Sequence, residues 1–130
     1  MKMKRIYGTA ILLFSISIST AYSADVVDEL LQEYKTAGAV DFSEDKGEAL
    51  WMSKEKDRSC TSCHTNSVKN VGKHQKTGKE IKPMAPSVNA ERLTEKKKVK
   101  KWLLRNCKWV FKRECTAQEK GDILTWLRKQ

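Results

Sequence analysis

The sequence predicts an all-α domain with four helices and one long ordered loop. Three observations support this prediction. Four stretches repeat apolar residues at helical spacing, cap and stop residues bound them, and the stretch 65–89 has no convincing periodicity. With 130 residues, the chain has the length expected of one domain.

The N-terminus has the features of a cleaved signal peptide over residues 1–23. Three basic residues precede a short apolar run over 6–18, and Ala21 and Ser23 are the small residues that a signal peptidase reads. The run is too short for a comfortable membrane span, and no second run of membrane length follows it. We therefore expect an exported, periplasmic protein without a transmembrane segment after cleavage.

The first predicted helix spans 24–37, where Asp25 can cap it and Gly38 can end it. Its apolar residues recur at helical spacing, so one face can pack on the rest of the protein. We assign 24–41 to an N-terminal helical extension and 42–130 to the main domain.

The second predicted helix begins at Ser43 and carries Gly47 about one turn before Leu50 and Trp51. A small residue followed by bulky ones is typical of a position where another backbone approaches a helix closely. We expect the last helix of the chain to cross this one at Gly47.

Two further helices are predicted after the long loop. The first spans about 94–107, and its apolar stripe ends in a polar amide at Asn106. A loop over 107–115 should follow, and then a helix with a capping box formed by Thr116 and Glu119. The stripe consists of Val99, Trp102, Leu103 and Asn106.

The stretch Cys60-Thr61-Ser62-Cys63-His64 carries the chemistry. C-x-x-C-H is the attachment site of a c-type haem, because two thiols can add to the porphyrin vinyl groups while the histidine ligates the iron. A thioredoxin-like C-x-x-C expects a βαβ context, and a zinc site needs two more ligands at short spacing. Neither alternative requires the histidine, so we predict one covalently attached haem c.

The order of these elements predicts a class I cytochrome c fold with the covalent haem in its core. A glycine-plus-aromatic helix, the haem motif, a wrapping loop and a C-terminal amphipathic helix make up that layout. Export agrees with it, since c-type haem is attached outside the cytoplasm. An oxidising compartment also permits Cys107 and Cys115 to pair.

The ligand opposite His64 separates an electron carrier from a gas-binding protein, and three candidates are open. Met84 follows the haem motif where an electron carrier takes a thioether ligand, but it also fits apolar packing. His74 would give a bis-imidazole haem, although its polar neighbours indicate a solvated side chain. Asn106 ends an apolar stripe, although an asparagine there commonly bonds nearby backbone. The residues alone leave Asn106 and Met84 about equally open.

Two segments resemble the family of SHP-type monohaem cytochromes c, to which cytochrome c-double-prime belongs. One contains V-K-N-V-G-K and T-G-K-E-I-K-P-M-A-P-S-V-N within 68–89, and the other runs from K-V to R-N-C within 98–107. The resemblance covers the chain from about Phe42 and is more specific than C-x-x-C-H alone. The chain differs from the family by its tryptophans at 102 and 109.

The resemblance implies a ligand set for the iron. In that family, the sixth ligand is the residue just before the first cysteine of a disulfide. This implies a disulfide between Cys107 and Cys115, ligation of the iron by His64 and Asn106, and a role for Met84 as a wall of the haem pocket.

The implied function follows from the character of an amide ligand. A neutral carboxamide is tolerable to ferric iron and poorly suited to ferrous iron. Reduction would then release Asn106, so that O2, NO or CO can bind, and the freed amide has N–H donors for dioxygen. An oxygen- or nitric-oxide-reducing activity is left open. The alternative is a plain electron-transfer cytochrome with His64 and Met84 as ligands.

The partners are expected to be redox proteins. The resemblance implies electron exchange with another periplasmic cytochrome, in particular a dihaem cytochrome c. The formal net charge is +10 for the full chain and falls to +7 once Lys2, Lys4 and Arg5 leave with the signal peptide, and this charge suits steering toward an acidic redox partner or anionic headgroups. Basic chains often bind nucleic acid, but we expect no nucleic acid partner for an exported haem protein.

Overall fold

A computed structural model describes residues 25–130, and the predicted signal peptide lies outside this part of the chain. The all-α prediction is confirmed, with a small antiparallel hairpin added inside the predicted loop. Among residues 25–130, no helix is both long and apolar enough to cross a bilayer. The elements are α1 (Val26–Thr36), α2 (Glu44–Met52), α3 (Thr61–His64), β1 (Gly72–Lys73), β2 (Glu80–Ile81), α4 (Lys96–Phe111) and α5 (Ala117–Leu127).

The core is organised by the crossing of α2 and α5 at Gly47. A Cβ atom built on Gly47 would lie 2.1 Å from the backbone oxygen of Asp122, so the two helix backbones touch there. One turn further along α2, the buried ring of Trp51 lies 5.5 Å from that of Trp126, centroid to centroid. Such aromatic pairs stabilise a core beyond their buried area. The predicted crossing at Gly47 is confirmed.

A buried carboxylate fixes the entry to α2. The Oδ1 atom of Asp122 accepts a hydrogen bond from the backbone N–H of Ser43 at 2.8 Å and another from Nε2 of Gln118 at 3.0 Å. Ser43 in turn caps α2, because its hydroxyl accepts from the backbone N–H of Lys46. A buried acid with these partners avoids the cost of an unpaired charge and holds α5 against the start of α2.

The N-terminal helix α1 packs on α5 through its apolar side. Val27, Leu30 and Tyr34 are buried and form one cluster with Val99 of α4 and Leu124 of α5. As predicted, Asp25 caps this helix and Gly38 follows its end with a φ of +98°.

The segment between α3 and α4 folds back over the haem motif. Gly72 of β1 sits so close to α3 that a Cβ atom there would lie 2.1 Å from the backbone oxygen of Cys63. Further along, the backbone N–H groups of Met84 and Ala85 both donate to the carbonyl of Val68, at 2.8 and 3.0 Å. These contacts make the predicted long loop an ordered strap across α3.

The boundary predicted for α4 is wrong at its C-terminal end. The helix continues past Cys107 to Phe111 and stops at Lys112, which has a left-handed backbone. The residues after Cys107 extend the apolar face, since Val110 is buried as well, and this burial favours one more helical turn. Trp102 also departs from the prediction, because 47% of its surface is exposed.

The helix α5 begins with the predicted capping box. The backbone N–H of Thr116 donates to Oε2 of Glu119 at 2.8 Å, and the Thr116 hydroxyl accepts from the Glu119 N–H at 3.1 Å. Arg113 adds two hydrogen bonds to the same carboxylate, each 2.7 Å long. The bonds from Arg113 lower the pKa of Glu119 below its ordinary value of 4.5, and the Thr116 N–H adds to this shift against the effect of burial.

The substitution Glu119→Gln should destabilise the holo-protein by about 0.5–1 kcal/mol at pH 7. Because the pKa of Glu119 is lowered in the folded state, the carboxylate contributes fully above pH 4.5, and this contribution is lost as the pH falls through the folded-state pKa. Urea unfolding at pH 7 and pH 3 should therefore show a difference between variant and parent that shrinks at pH 3. Glu48→Gln, at an exposed position of α2, is the matched control and should change little at either pH. A difference that persists at pH 3 would contradict the role of the charge.

Candidate haem site

A cleft bounded by α2, α3, α4 and α5 contains the haem motif. About 490 Å³ of space lies between its walls, part of it open to solvent. Its walls are mostly apolar, so a flat hydrophobic group can be buried there. The lining residues are Trp51, Ser59, Cys60, Cys63, His64, Leu103, Asn106, Cys107, Trp109, Val110, Phe111 and Ile123.

One wall of the cleft is the short helix α3, which presents the motif. The backbone N–H groups of Cys63 and His64 both donate to the carbonyl of Cys60, so both cysteines and the histidine share one helical turn. The turn is braced by a reciprocal pair, in which the N–H of Ser59 donates to the Ser62 hydroxyl and the Ser62 N–H donates to the Ser59 hydroxyl. Sequence reasoning missed these serines, although their spacing of three is a local capping signal.

The electrostatics of this wall keep its side chains neutral. Burial raises the pKa of the Cys60 thiol to about 11. Burial lowers the pKa of His64 to about 4, and the nearby charge of Arg92 acts in the same direction. At neutral pH the imidazole is therefore uncharged, which is the form that ligates a metal. The ring of Trp51 lies 5.3 Å from that of His64 and limits its movement.

Arg92 is a second residue of this region that sequence reasoning missed. Its Nε donates to the carbonyl of Pro83 at 2.8 Å, and a terminal nitrogen donates to the carbonyl of Lys82 at 2.6 Å. Asn89 also donates to the Pro83 carbonyl, at 3.1 Å. The guanidinium thus holds the strap in place while contributing positive charge near His64.

The wall formed by α4 carries Asn106 and its neighbours. Asn106 lines the cleft with Leu103 on one side along the helix and Trp109 on the other. Arg58 holds this end of the helix, because its guanidinium donates to the backbone oxygen of Trp109 at 3.1 Å and lies 5.0 Å from the centroid of that ring. The side chain that ends the apolar stripe therefore shares one cleft with His64.

Cys107 follows Asn106 directly and is buried beside Cys115. The Cα atoms of the two cysteines lie 5.6 Å apart, a separation that a disulfide spans without backbone movement. A disulfide at this point would tie the C-terminal part of α4 to the start of α5.

The other two candidate ligands occupy different surroundings. Met84 is partly buried and packs against the core cluster that contains Trp51, Val68 and Ala85, and it is not among the residues that line the described cleft. His74 is exposed in the turn between β1 and β2, where its Nδ1 accepts from the backbone N–H groups of Lys76 and Thr77. These two hydrogen bonds engage Nδ1 of His74 within the turn.

The residues of the cleft fit a covalently attached haem. Two thiols on one helical turn, a neutral imidazole next to them and apolar walls are the groups that such a cofactor requires. The cleft also contains a buried indole nitrogen, Nε1 of Trp51, without a hydrogen-bond partner among the described residues. An acceptor on a bound cofactor would satisfy this donor.

The helical fold and the thiol–imidazole site together define a monohaem c-type cytochrome. A family model described as Domain of unknown function (DUF1924) matches residues 37–127. The cytochrome c-type protein SHP of Cereibacter sphaeroides is 41% identical to this chain over 107 residues, which are 78% of this chain and 82% of that protein. The chain belongs to this family of SHP-type cytochromes c, and its cofactor is haem c.

Solved structures agree with this assignment. The structure of oxidised SHP, described as an oxygen-binding cytochrome c, is 40% identical, has a TM-score of 0.73, and covers 80% of this chain and 96% of its own. The solution structure of cytochrome c'' from Methylophilus methylotrophus, which addresses haem-ligand detachment, is 30% identical with a TM-score of 0.70. It covers 80% of this chain and 93% of its own. The predicted class I cytochrome c fold is confirmed.

Proposed function

We propose that this protein is a periplasmic cytochrome whose iron has His64 and Asn106 as ligands in the oxidised state and releases Asn106 on reduction. The position opened in this way admits O2, NO or CO. The observation that carries the proposal is the shared cleft: Asn106 lines it together with His64, whereas Met84 packs in the core beside Val68.

The ligand chemistry of the two side chains makes the site sensitive to redox state. A haem held by Cys60, Cys63 and His64 would supply an iron that changes between ferric and ferrous and can bind a diatomic gas. The imidazole of His64 suits both oxidation states, whereas the neutral amide of Asn106 is a weak, hard ligand that suits ferric iron. Reduction would therefore weaken a bond from Asn106 and leave one from His64.

The surroundings of Asn106 limit how far it moves once released. The next residue, Cys107, is buried, and we propose that it forms a disulfide with Cys115. The backbone of Asn106 is then fixed by the helix and by this bridge, so that release is a change of side-chain rotamer within the cleft.

The freed amide and the apolar wall together suit a diatomic ligand. The Asn106 side chain offers two N–H donors to a polar gas molecule such as dioxygen. Leu103, Val110 and Ile123 line the same cleft and make this part of its wall apolar. Gas selectivity would then depend on hydrogen bonding by Asn106 as well as on space.

The relatives support this proposal. SHP is described as an oxygen-binding cytochrome c, and the solution structure of cytochrome c'' concerns haem-ligand detachment. We extend both properties to this chain, in which Asn106 is the residue that detaches. We also propose that residues 1–23 direct export, that 24–41 form an extension to the domain, and that a partner cytochrome, in particular a dihaem cytochrome c, exchanges electrons with the haem.

Carbon monoxide binding to the reduced protein tests the proposal. Adding carbon monoxide to the dithionite-reduced holo-protein should shift its visible spectrum at once and completely, because the released amide leaves an axial position open. The ferric protein under the same gas is the control and should not change. An unshifted ferrous spectrum would mean a closed haem and would favour an electron carrier with ligation by His64 and Met84.

A further inference from the structure

We infer that a cationic, tryptophan-containing surface on α4 is the docking site for an acidic redox protein. The surface consists of Lys97, Lys101, Trp102 and Arg105 and is called the α4 stripe below. The inference rests on one part of the proposed function, namely electron exchange with a protein partner, and it adds where that partner binds. It also assigns a role to Trp102, which the family pattern left unexplained.

The three cations of the α4 stripe are available to a partner. Lys97, Lys101 and Arg105 are exposed and follow one another at intervals of four residues, so they lie along one side of the helix. Residues 25–130 place no carboxylate within 4.0 Å of any of them. The other lysines of α4 are paired within the protein: Lys96 and Lys100 with Glu33, Lys98 with Glu95, and Lys108 with Glu114.

Trp102 lies between two of these cations and is 47% exposed. Nζ of Lys101 is 5.6 Å from its ring centroid, and Cζ of Arg105 is 5.4 Å from it. These cation–π contacts hold the three side chains in one arrangement before binding. Tryptophan and arginine are the residues that most often dominate the affinity of protein interfaces, and pre-ordered side chains lose less entropy on binding.

The α4 stripe lies next to residues that line the haem cleft. Trp102 precedes Asn106 by four residues, so the two side chains lie on the same side of α4 one turn apart. Arg105 has the same relation to Trp109, and both Asn106 and Trp109 line the cleft. A protein seated on the stripe is therefore close to the cofactor and to the side chain that we propose as its redox-dependent ligand.

The composition of the stripe favours an acidic protein over a lipid surface. An interfacial helix needs a continuous apolar face to insert among lipids. The apolar face of α4 is already buried in the fold, through Val99, Cys107 and Val110. Leu104 is exposed as well, but a spacing of two residues places it on the opposite side of the helix from Trp102. Complementary charge around one aromatic side chain is the recognition that remains.

Electron transfer from an acidic flavoprotein tests the inference. Reduced flavodoxin donates one electron to the ferric holo-protein, which gives ferrous haem and flavodoxin semiquinone, and stopped-flow absorbance follows the haem. The variant Lys97→Gln/Lys101→Gln/Arg105→Gln should lower the second-order rate about 10-fold at low ionic strength and flatten its dependence on salt. Trp102→Ala should lower the rate about threefold with the salt dependence retained.

The matched control is Lys46→Gln/Lys76→Gln/Lys79→Gln, which removes the same charge from exposed sites outside the stripe. It should stay within about twofold of the parent. Calorimetric titration with oxidised flavodoxin should show the same order of affinities without any electron transfer. Equal losses in both triple variants would overturn the inference in favour of net charge alone.

Two further outcomes separate this inference from its alternatives. If the stripe variant loses binding to phosphatidylglycerol vesicles but is reduced by flavodoxin at the parent rate, the surface binds lipid and the inference is wrong. If carbon monoxide fails to bind the ferrous protein while the stripe variant is still reduced slowly, the docking site is supported and only the proposed release of Asn106 is contradicted.

Discussion

Replacing Asn106 by alanine is expected to convert the ferric haem from low spin to high spin. Alanine has no lone pair to donate, so the iron keeps only His64 as a protein ligand. Absorption and electron paramagnetic resonance spectra of the ferric holo-protein measure this change. The fold should survive, because Asn106 is only partly buried and alanine has high helix propensity.

The matched control for this variant is Met84→Leu. The two side chains have similar volumes, so the core around Met84 should adapt and the ferric spectrum should remain low spin. A low-spin spectrum for Asn106→Ala together with a high-spin spectrum for Met84→Leu would identify sulfur as the ligand.

The same alanine variant probes the second role of the amide. Carbon monoxide should still bind the reduced variant, because release of Asn106 is what opens the site in the parent protein. Dioxygen should dissociate about fivefold faster, which corresponds to the loss of one hydrogen bond worth about 1 kcal/mol. Flash photolysis measures both gases in one preparation, and an unchanged dioxygen rate would remove this role from Asn106.

Gly47→Ala should strongly destabilise the fold. The new Cβ atom would lie 2.1 Å from the backbone oxygen of Asp122 and 3.0 Å from Cβ of Trp126, so α2 and α5 have to move apart. The gain in helix propensity is about 1 kcal/mol, whereas overpacking against a backbone that cannot rotate away costs about 3 kcal/mol or more. The net loss of about 2 kcal/mol should lower the thermal midpoint by about 10 °C for a domain of this size.

Thermal unfolding followed at 222 nm and in the Soret band measures this effect. Glu48→Ala is the control, because it places alanine at the adjacent, exposed position of α2 and should leave the midpoint nearly unchanged. A midpoint of the Gly47 variant equal to that of the parent would mean that the two helices are not held at this distance in solution.

Local signals predicted much of the fold because they act within a few residues. The capping box at Thr116 and the cap at Ser43 are satisfied by neighbouring backbone, so their spacing is sufficient to identify them. Gly47 was predictable for a different reason, since a glycine beside large apolar residues in a helix indicates close approach of a partner. The C-x-x-C-H motif is also a local signal, and it identified three residues that line the cleft.

Features that depend on tertiary contacts were harder to predict. The end of α4 was placed too early, because the burial of Val110 that extends the helix arises from packing against other elements. Trp102 fits the helical period of the buried stripe, yet it lies exposed between Lys101 and Arg105. Arg92 holds the strap by donating hydrogen bonds to carbonyls about ten residues earlier in the chain, and such a contact leaves no periodic signal in the sequence.

The close contact between Gly72 and the carbonyl of Cys63 adds one residue to the sequence motif by which proteins of this kind can be recognised. Any side chain at that position would collide with the backbone of the turn that holds Cys60 and Cys63, so the close contact with the motif requires glycine there. A search pattern that requires a glycine eight positions after His64, in addition to the pentapeptide, should separate chains with this strap from the many others in which haem is attached through the short motif alone.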